Sequence, residues 1–425
     1  MIRHIFKIIW NERKVNAWLI VEYMLVFCIL WFCFDYISTM IRNHLEDTGF
    51  DIENVYMINM GEKPTEAFEN QPELEGDKYS WALTLMDRVK RHPDVEYVGL
   101  SQAAVPYGMS MTTSSFIIEP DSDFVSIQCR NVTSEFFDVF KIEFDQGSVF
   151  DWQDESSKSQ VIISPYKDDF FGDRRKDNLY PISQVHTLRR NSNSTDFINV
   201  VGVVNKVRSN YFEPFVSNAF FPLKKEDVNL AWDQIAIRVK PGTDKNFPER
   251  FIKDMREQLL IGPYFLASVT PMSEIKEIAV NANGVSSALN STYSIMAFLI
   301  VNIFLGILGT FWFRTQSRQS EVGLRIALGS SKQKVKSMLI TETILLLLIA
   351  SVAGVVICLN LGSTEILTDI GVPNINREKW GIGHEQDIID FSLTFIFLAI
   401  ISVLAVWYPA KQASDIQPAE ALRDE

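Results

Sequence analysis

The chain has 425 residues, of which 47% are hydrophobic, and a formal net charge of −13. An acidic chain with no clustered basic run has no electrostatic footprint for nucleic acid, which excludes that class of partner. Mean hydropathy near zero would suit a soluble protein, but the average conceals four apolar blocks beside one long polar block at 42–290.

The N-terminal stub, 1–16, is basic, with Arg3, Lys7, Arg13 and Lys14 against Glu12, and is expected to be an amphipathic cytoplasmic segment. Ala17–Phe34 is the first apolar block. A span needs roughly 20 mostly apolar residues at 1.5 Å each, so the first membrane helix is drawn over 17–41. Its core is rich in Trp and Phe, and its exit, Phe-Asp-Tyr-Ile-Ser-Thr-Met, has no small-x-small cleavage site. Both features argue for a retained anchor rather than a signal peptide.

Residues 42–290 carry 38 acidic and 26 basic residues and are expected to form a large α+β domain outside the membrane, divided into two subdomains. Val55–Met60 and Val95–Leu100 read as strands, separated by a helix over Ser80–Arg91 whose apolar stripe is Leu83, Met86 and Val89. His92-Pro93-Asp94 stops that helix. Val125–Arg130, Gln160–Ser164, Ile198–Val204, Ala219–Pro222 and Gln234–Val239 read as further strands, with a short helix at Ser134–Phe140. Asn246–Leu260 is a helix opened by Pro248, and Tyr264–Thr270 is a last strand. Ser273–Asn283 reads as a helix with Ser273 as its N-cap. The pattern is a strand–helix–strand unit at each end around a β-rich insert, with polar loop near Asp168–Asp196.

Tyr293–Phe313, Met338–Leu361 and Phe391–Tyr408 are the remaining apolar blocks, giving membrane helices over 291–313, 338–361 and 388–409. The connector at 314–337 has Arg314, Arg318, Arg325, Lys332, Lys334 and Lys336 against Glu321 alone. The loop at 362–387 is acidic. Lys and Arg in short loops mark the cytoplasmic side. The N-terminus, the 314–337 connector and the tail at 410–425 therefore face the cytoplasm, and 42–290 and 362–387 face outward.

No catalytic constellation emerges. The five histidines lie in no cluster with metal-ligand spacing, and no G-x-S-x-G elbow occurs. The acidic runs at Asp121–Asp123 and Asp151–Glu155 lack calcium-loop spacing and read as solvated surface. There is no Gly-Lys dipeptide, hence no phosphate-cradling P-loop. Neither a metal nor a cofactor is expected. Cys28, Cys33 and Cys358 fall in spans and read as small apolar filler, and Cys129 is alone in the outer region, so no disulfide framework is expected.

The connector is the most informative stretch. Glu321–Leu328 reads as a helix with Glu321 four residues before Arg325, the favourable order for an ion pair. Val322, Leu324, Ile326, Ala327 and Leu328 spread over most of its remaining circumference. A helix apolar nearly all round needs burial on more than one side. The bundle supplies one side and a second protein the other; the plainer alternative is an interfacial helix. Gly329 is placed to end the helix in a left-handed cap, and Ser331 to cap the next. Lys332, Lys334 and Lys336 oppose that next helix's dipole, with anionic headgroups as the expected compensation. Glu22 and Glu342 are ionisable residues inside spans. Snorkelling is the plainer reading of both. The sharper one has Glu342 hydrogen-bonding the cytoplasmic helix and coupling it to the third span.

The run Glu-Val-Gly-Leu-Arg-Ile-Ala-Leu-Gly-Ser at 321–330 resembles the E-[IV]-G-x-x-[RK]-A-L-G-A-like motif of FtsX/MacB-type ABC transporter permeases, the type VII or mechanotransmission class. Glu321, Gly323, Leu324, Ala327, Leu328 and Gly329 match, and Arg325-Ile326 departs mildly in spacing. Glu342 occupies the place of the family's glutamate early in the third span. The tail resembles P-A-x-x-A-x-x-x-P-x-E-A-L-R through Pro409, Ala410, Ala413, Pro418, Glu420, Ala421, Leu422 and Arg423, though it is less basic than usual. The outer domain matches loosely around Phe136–Gly147 and Val200–Val207.

The resemblance implies a non-catalytic permease subunit of the bacterial inner membrane, with a MacB-like periplasmic core domain and an FtsX-like permease region over 291–425. It implies a homodimer or a pairing with a paralogous permease, a separate ABC ATPase chain, and a periplasmic adaptor as a further partner. On this reading Glu321, Val322, Gly323, Arg325, Ile326, Ala327 and Gly329 meet the ATPase. ATP-driven motion would pass to the outer domain for efflux or envelope transport, since the spans hold too few polar residues to line a hydrophilic pore. The alternative is an FtsX-like signalling scaffold that controls a periplasmic enzyme or sensor kinase. Outer-domain length favours transport.

Overall fold

The strands at the two ends of the outer region pair with each other. In the computed structural model, which describes residues 9–11, 13–64, 77–118, 124–164, 187–189, 197–213, 215–317, 319–362 and 385–415, β1 (Val55–Glu62) and β2 (Val95–Gln102) flank β10 (Gln234–Val239). β11 (Tyr264–Pro271) pairs with the outer edge of β1, giving the antiparallel order β11-β1-β10-β2. The register sets Val269, Ile58, Ile235 and Leu100 in one row, all buried. The helices α2 (Lys78–Lys90) and α4 (Phe247–Met255) cover this face, with Tyr56 against Phe247 at 4.7 Å. Asp77 caps α2 by accepting from the Tyr79 amide. The buried stripe of α2 is Ala82, Leu85, Met86 and Val89, one step round from the expected stripe, because Leu83 is only partly covered. In α4, Phe247, Phe251 and Met255 recur at four-residue spacing and are buried together.

The other face of the sheet takes the short helix α3 (Phe136–Val139). A Cβ on Gly99 would sit 3.0 Å from the Phe136 Cα, so only glycine admits α3 at this distance. Cover on both faces explains why β10 is a run of five buried residues rather than an alternation.

The insert forms a closed ring of six strands. β3 (Thr112–Ile118), β4 (Phe124–Val132), β6 (Gln160–Ser164), β7 (Thr187–Arg189), β8 (Phe197–Val204) and β9 (Asn218–Pro222) run in the order β4-β3-β7-β8-β6-β9, and β9 returns to β4 in parallel. Phe116, Ile127, Val161, Ile163, Leu188, Ile198, Val203 and Ala219 form the ring's core. β5 (Phe144–Gly147) pairs outside the ring with β8, so the two loosely matching stretches of the outer domain lie side by side. Gly147 has φ +79° and faces Gly202 so closely that any Cβ would overlap the Val201 carbonyl. Residues Asn43–Val285 make one compact unit.

Three buried arginines fasten this unit. Arg130 donates to Asn218 Oδ1 (2.9 Å), the Ala104 carbonyl (2.6 Å) and Ser209 Oγ (2.8 Å), with Phe50 and Phe220 within 6 Å of its guanidinium. Burial lowers its pKa to about 10, which leaves it charged at neutral pH. Arg208 donates to the carbonyls of Asn43 and Glu46 at the C-terminal end of α1 (Arg13–Leu45). Arg238 donates to the carbonyls of Val139, Glu53 and Asp51.

The sequence reading needs several corrections here. The helix expected over Asn246–Leu260 ends at Met255. Ser273 is not an N-cap; α5 (Met272–Ala282) starts one residue earlier behind Pro271 and makes no side-chain cap bond. The polar stretch near Asp168–Asp196 lies largely outside the described residues, but 187–189 within it is strand β7. Strands β3, β5 and β7 had no strand signal: β3 opens on four polar residues, Thr112 to Ser115, and β5 and β7 are only four and three residues long. The run Asp121–Asp123 lies outside the described residues.

Residues Met1–Arg42 and Ser286–Glu425 form the second unit. Its long helices are α1, α6 (Val285–Ser317), α8 (Lys332–Gly362) and α9 (Glu385–Asp415), each long and apolar enough to cross a membrane. Their shared interior holds Leu19, Phe27, Leu30, Ile303, Ile307, Leu346, Leu347 and Leu398, while Trp18, Phe298, Val352 and Leu404 point outward. A short chain of hydrogen bonds links two helices inside the bundle: Tyr23 donates to Ser402 Oγ at 3.1 Å, and Ser402 donates to the Leu398 carbonyl. A Cβ on Gly354 would lie 2.6 Å from the Phe27 ring, so glycine brings α8 close to α1. The last helix runs past the expected end at 409, through Pro409 to Asp415. Among the described residues there is no group of His, Cys, Asp and Glu that could hold a metal ion, and all four cysteines are free.

Arg130→Ala is expected to destabilise the protein by about 3 kcal/mol, because it strands buried acceptors around a hole. The exposed Arg91, paired with Asp87 at 2.6 Å, is the control: Arg91→Ala should cost no more than about 0.5 kcal/mol. Thermal unfolding of the full chain in detergent measures both.

Candidate functional site

The connector between α6 and α8 folds as a short helix, α7 (Gln319–Ala327). Its end is built as the glycine spacing predicts. Gly329 has φ +94°; its amide bonds the Ile326 carbonyl and the Ser330 amide bonds the Arg325 carbonyl. This is a Schellman motif, in which the left-handed residue turns the chain back over the last helical turn. Ser331 then caps α8, with its Oγ accepting from the Lys334 amide at 3.3 Å. Two caps in three residues make the turn between α7 and α8 a fixed corner.

One side of α7 is buried in its own unit. Val322 is 3% exposed, Gly323 is buried, and Arg325 Nη1 lies 3.1 Å from Met338 Sδ on α8. The opposite side is bare: Leu324 is 50% and Leu328 79% exposed, and Ala327 is exposed as well. Ile326 is intermediate. The side chain of Glu321 lies outside the described residues, so its expected pairing with Arg325 is not described.

The corner is tied to α9. Lys332 Nζ, in the first turn of α8, lies 2.9 Å from Asp415 Oδ1, in the last turn of α9. Each charge sits at the unfavourable end of its own helix dipole, and the pair offsets both. A carboxylate thus does for Lys332 what headgroups were expected to do. Lys336 and Lys411 both lie over the Trp407 ring, at 5.9 and 5.7 Å.

The two membrane acids differ. Glu342 is 1% exposed, inside the bundle, and so does not snorkel. Glu22 is partly buried, and its carboxylate lies against Gly306 on α6 where no Cβ would fit. Of the tail motif, Pro409 and Ala410 lie in α9, with Ala410 fully buried. Pro418, Ala421, Leu422 and Arg423 lie outside the described residues. Sequence reasoning missed Met338, Asp415, Gly306 and Gly354. The glycines carried a signal, since small residues within spans mark close helix approach; the partners of Arg325 and Lys332 carried none.

The MacB-like periplasmic core domain matches residues 34–247, half of the chain, and the FtsX-like permease C-terminal region matches residues 293–418. The chain belongs to the MacB-like, FtsX-type permease family. The permease is 24% identical over 332 residues to the macrolide export ATP-binding/permease protein MacB of Agrobacterium fabrum, covering 75% of this chain and 47% of that one. It is 23% identical over 331 residues to the pyoverdine export ATP-binding/permease protein PvdT of Pseudomonas syringae, covering 76% and 45%. The permease therefore spans about half the length of these relatives. The periplasmic region of MacB from Actinobacillus actinomycetemcomitans aligns with 15% identity and a TM-score of 0.32, covering 56% of this chain and 97% of that one. With four apolar helices and a periplasmic-type domain, the permease is a multi-pass inner-membrane protein whose large domain is periplasmic.

The two sides of α7 give opposite expectations. Val322→Asp should destabilise the protein by roughly 3 kcal/mol, because it buries an unpaired carboxylate. Leu324→Asp and Leu328→Asp should change stability by less than about 0.5 kcal/mol. Thermal unfolding of the three variants in the same detergent tests the assignment.

Proposed function

We propose that the permease couples ATP hydrolysis by a separate ABC ATPase to motion of its periplasmic domain, in efflux or envelope export. The observation that carries this reading is the bare apolar face of α7. Leu324 and Leu328 are held outward by a helix anchored on its other side and stopped by a fixed corner. An exposed apolar face on a rigid element, rimmed by charged residues, is the kind of surface that marks a protein-binding site. The face belongs to the segment that matches the family motif, and the relatives MacB and PvdT are named as ATP-binding/permease proteins for macrolide and pyoverdine export.

Force delivered to α7 has a mechanical route within its unit. Arg325–Met338 and the corner at Gly329–Ser331 pass it to α8, and Lys332–Asp415 passes it to α9. The chemistry belongs to the ATPase; the permease supplies positioning and leverage. Pairing with a second permease copy or a paralogue, and with a periplasmic adaptor, belongs to the same proposal.

The test is co-purification from the native membrane. The intact tagged permease should bring down an ATPase subunit in near-stoichiometric amount. Leu324→Asp combined with Leu328→Asp should lose it while keeping its melting temperature. Retention of the ATPase by that variant would move the contact elsewhere, and a folded intact permease that captures no ATPase would overturn the reading.

A further inference from the structure

Where β2 leaves the four-stranded sheet and meets the ring, the periplasmic domain has a pocket of about 190 Å³. Gln102, Ala103, Ser110, Thr112, Cys129, Asn131, Trp232 and Gln234 line it, and none of these carries a formal charge. At about 30 Å³ per water, the space holds roughly six waters, the room for one small ring rather than a drug-sized molecule.

The walls are fixed before any ligand arrives. Gln102 is committed: its Nε2 donates to Asp233 Oδ1 at 2.7 Å and to the Asp227 carbonyl at 2.9 Å, and its Oε1 accepts from Asn131 Nδ2. Gln234 Oε1 accepts from the amides of Ala104 and Val105, at 2.9 and 3.1 Å. Ala103 is held at φ +52°, a conformation that a residue with a Cβ adopts only when its surroundings impose it. Trp232 sits on a turn closed by Asp233 Oδ2 accepting from the Asn229 amide at 2.8 Å and by the Trp232 amide bonding the Asn229 carbonyl. The turn is rigid, yet it leaves Trp232 82% exposed at the pocket.

What remains for a ligand is a specific set. Gln234 Nε2 is a donor, Asn131 Oδ1 an acceptor, and the hydroxyls of Ser110 and Thr112 are both; none makes a hydrogen bond among the described residues. The indole of Trp232 offers an apolar face. Part of the backbone is already paired: Gln102 with Asn131, Thr112 with Cys129, and Gln234 with Ser101 in the strand ladders.

We infer that this pocket binds a neutral, polyhydroxylated ring, a sugar unit, with Trp232 against the ring's C–H face and Asn131, Gln234, Ser110 and Thr112 on its hydroxyls. Vicinal hydroxyls both donate and accept, as this set requires, and an uncharged ligand suits walls without charge. The site is independent of the ATPase reading, and its test involves no partner protein.

The full chain in detergent would be titrated by calorimetry and saturation-transfer NMR with glucose, galactose and N-acetylglucosamine, and with trialanine as the peptide comparator. At least one sugar should saturate with a Kd of about 1 mM, the order expected of a ring-sized ligand held by neutral hydrogen bonds. Trp232→Ala should weaken it by about tenfold or more, and the near-isosteric Thr112→Val by about threefold, with melting temperatures unchanged. Both side chains are at the surface, so loss of fold is not at issue. The inference is overturned if no sugar saturates, if the sugar binds Trp232→Ala as well as the intact protein, or if trialanine competes at equal affinity.

Discussion

A guanidinium out of water needs hydrogen-bond acceptors close at hand, and that constraint organises the periplasmic domain. Arg130, Arg208 and Arg238 are each at most 2% exposed. Most of their partners are neutral carbonyls and side-chain oxygens rather than carboxylates. Such a group holds only if every acceptor is delivered at once. Arg130 collects acceptors from the 104 loop, the 209 loop and β9, which closes the ring against the segment leaving β2. Arg238 collects from α3 and from the turn before β1. Arg208 gathers the carbonyls that α1 leaves unpaired at its end. Chain segments far apart in sequence are thus brought to common points.

The membrane unit obeys the opposite constraint, since hydrocarbon offers its polar groups nothing. Tyr23, Ser402 and Thr394 bond within the bundle or to a helix's own carbonyls. Close approach is achieved by removing side chains rather than adding them, at Gly306 against Glu22 and at Gly354 against Phe27. The only short helix of the unit with an unpartnered apolar side, among the described residues, is α7.

Much of this was written plainly in the chain. The four apolar blocks were readable because bilayer thickness acts on composition, not on contacts. Gln160–Ser164 and Gln234–Val239 were placed to the residue because both are short apolar runs bounded by turn signals. The Gly329 and Ser331 caps were readable because a left-handed turn and an N-cap each select residue type locally. Strands β3 and β7 were not readable. β3 opens on four polar residues and β7 has only three residues, so neither reads as a strand without the partners that lie across the ring.

The sequence alone determined the four apolar spans, the α+β character of the outer domain and the position of the connector motif, since each rests on local composition or spacing. Tertiary structure decided what depends on distance between remote residues. It closed β4 on β9, buried Val322 while baring Leu324 and Leu328, and answered Lys332 with Asp415. It also set Trp232 beside Asn131 and Gln234, residues that no periodicity links. Which face of a helix is free, and which side chains share a pocket, are properties of packing, and packing is fixed only when the whole chain has folded.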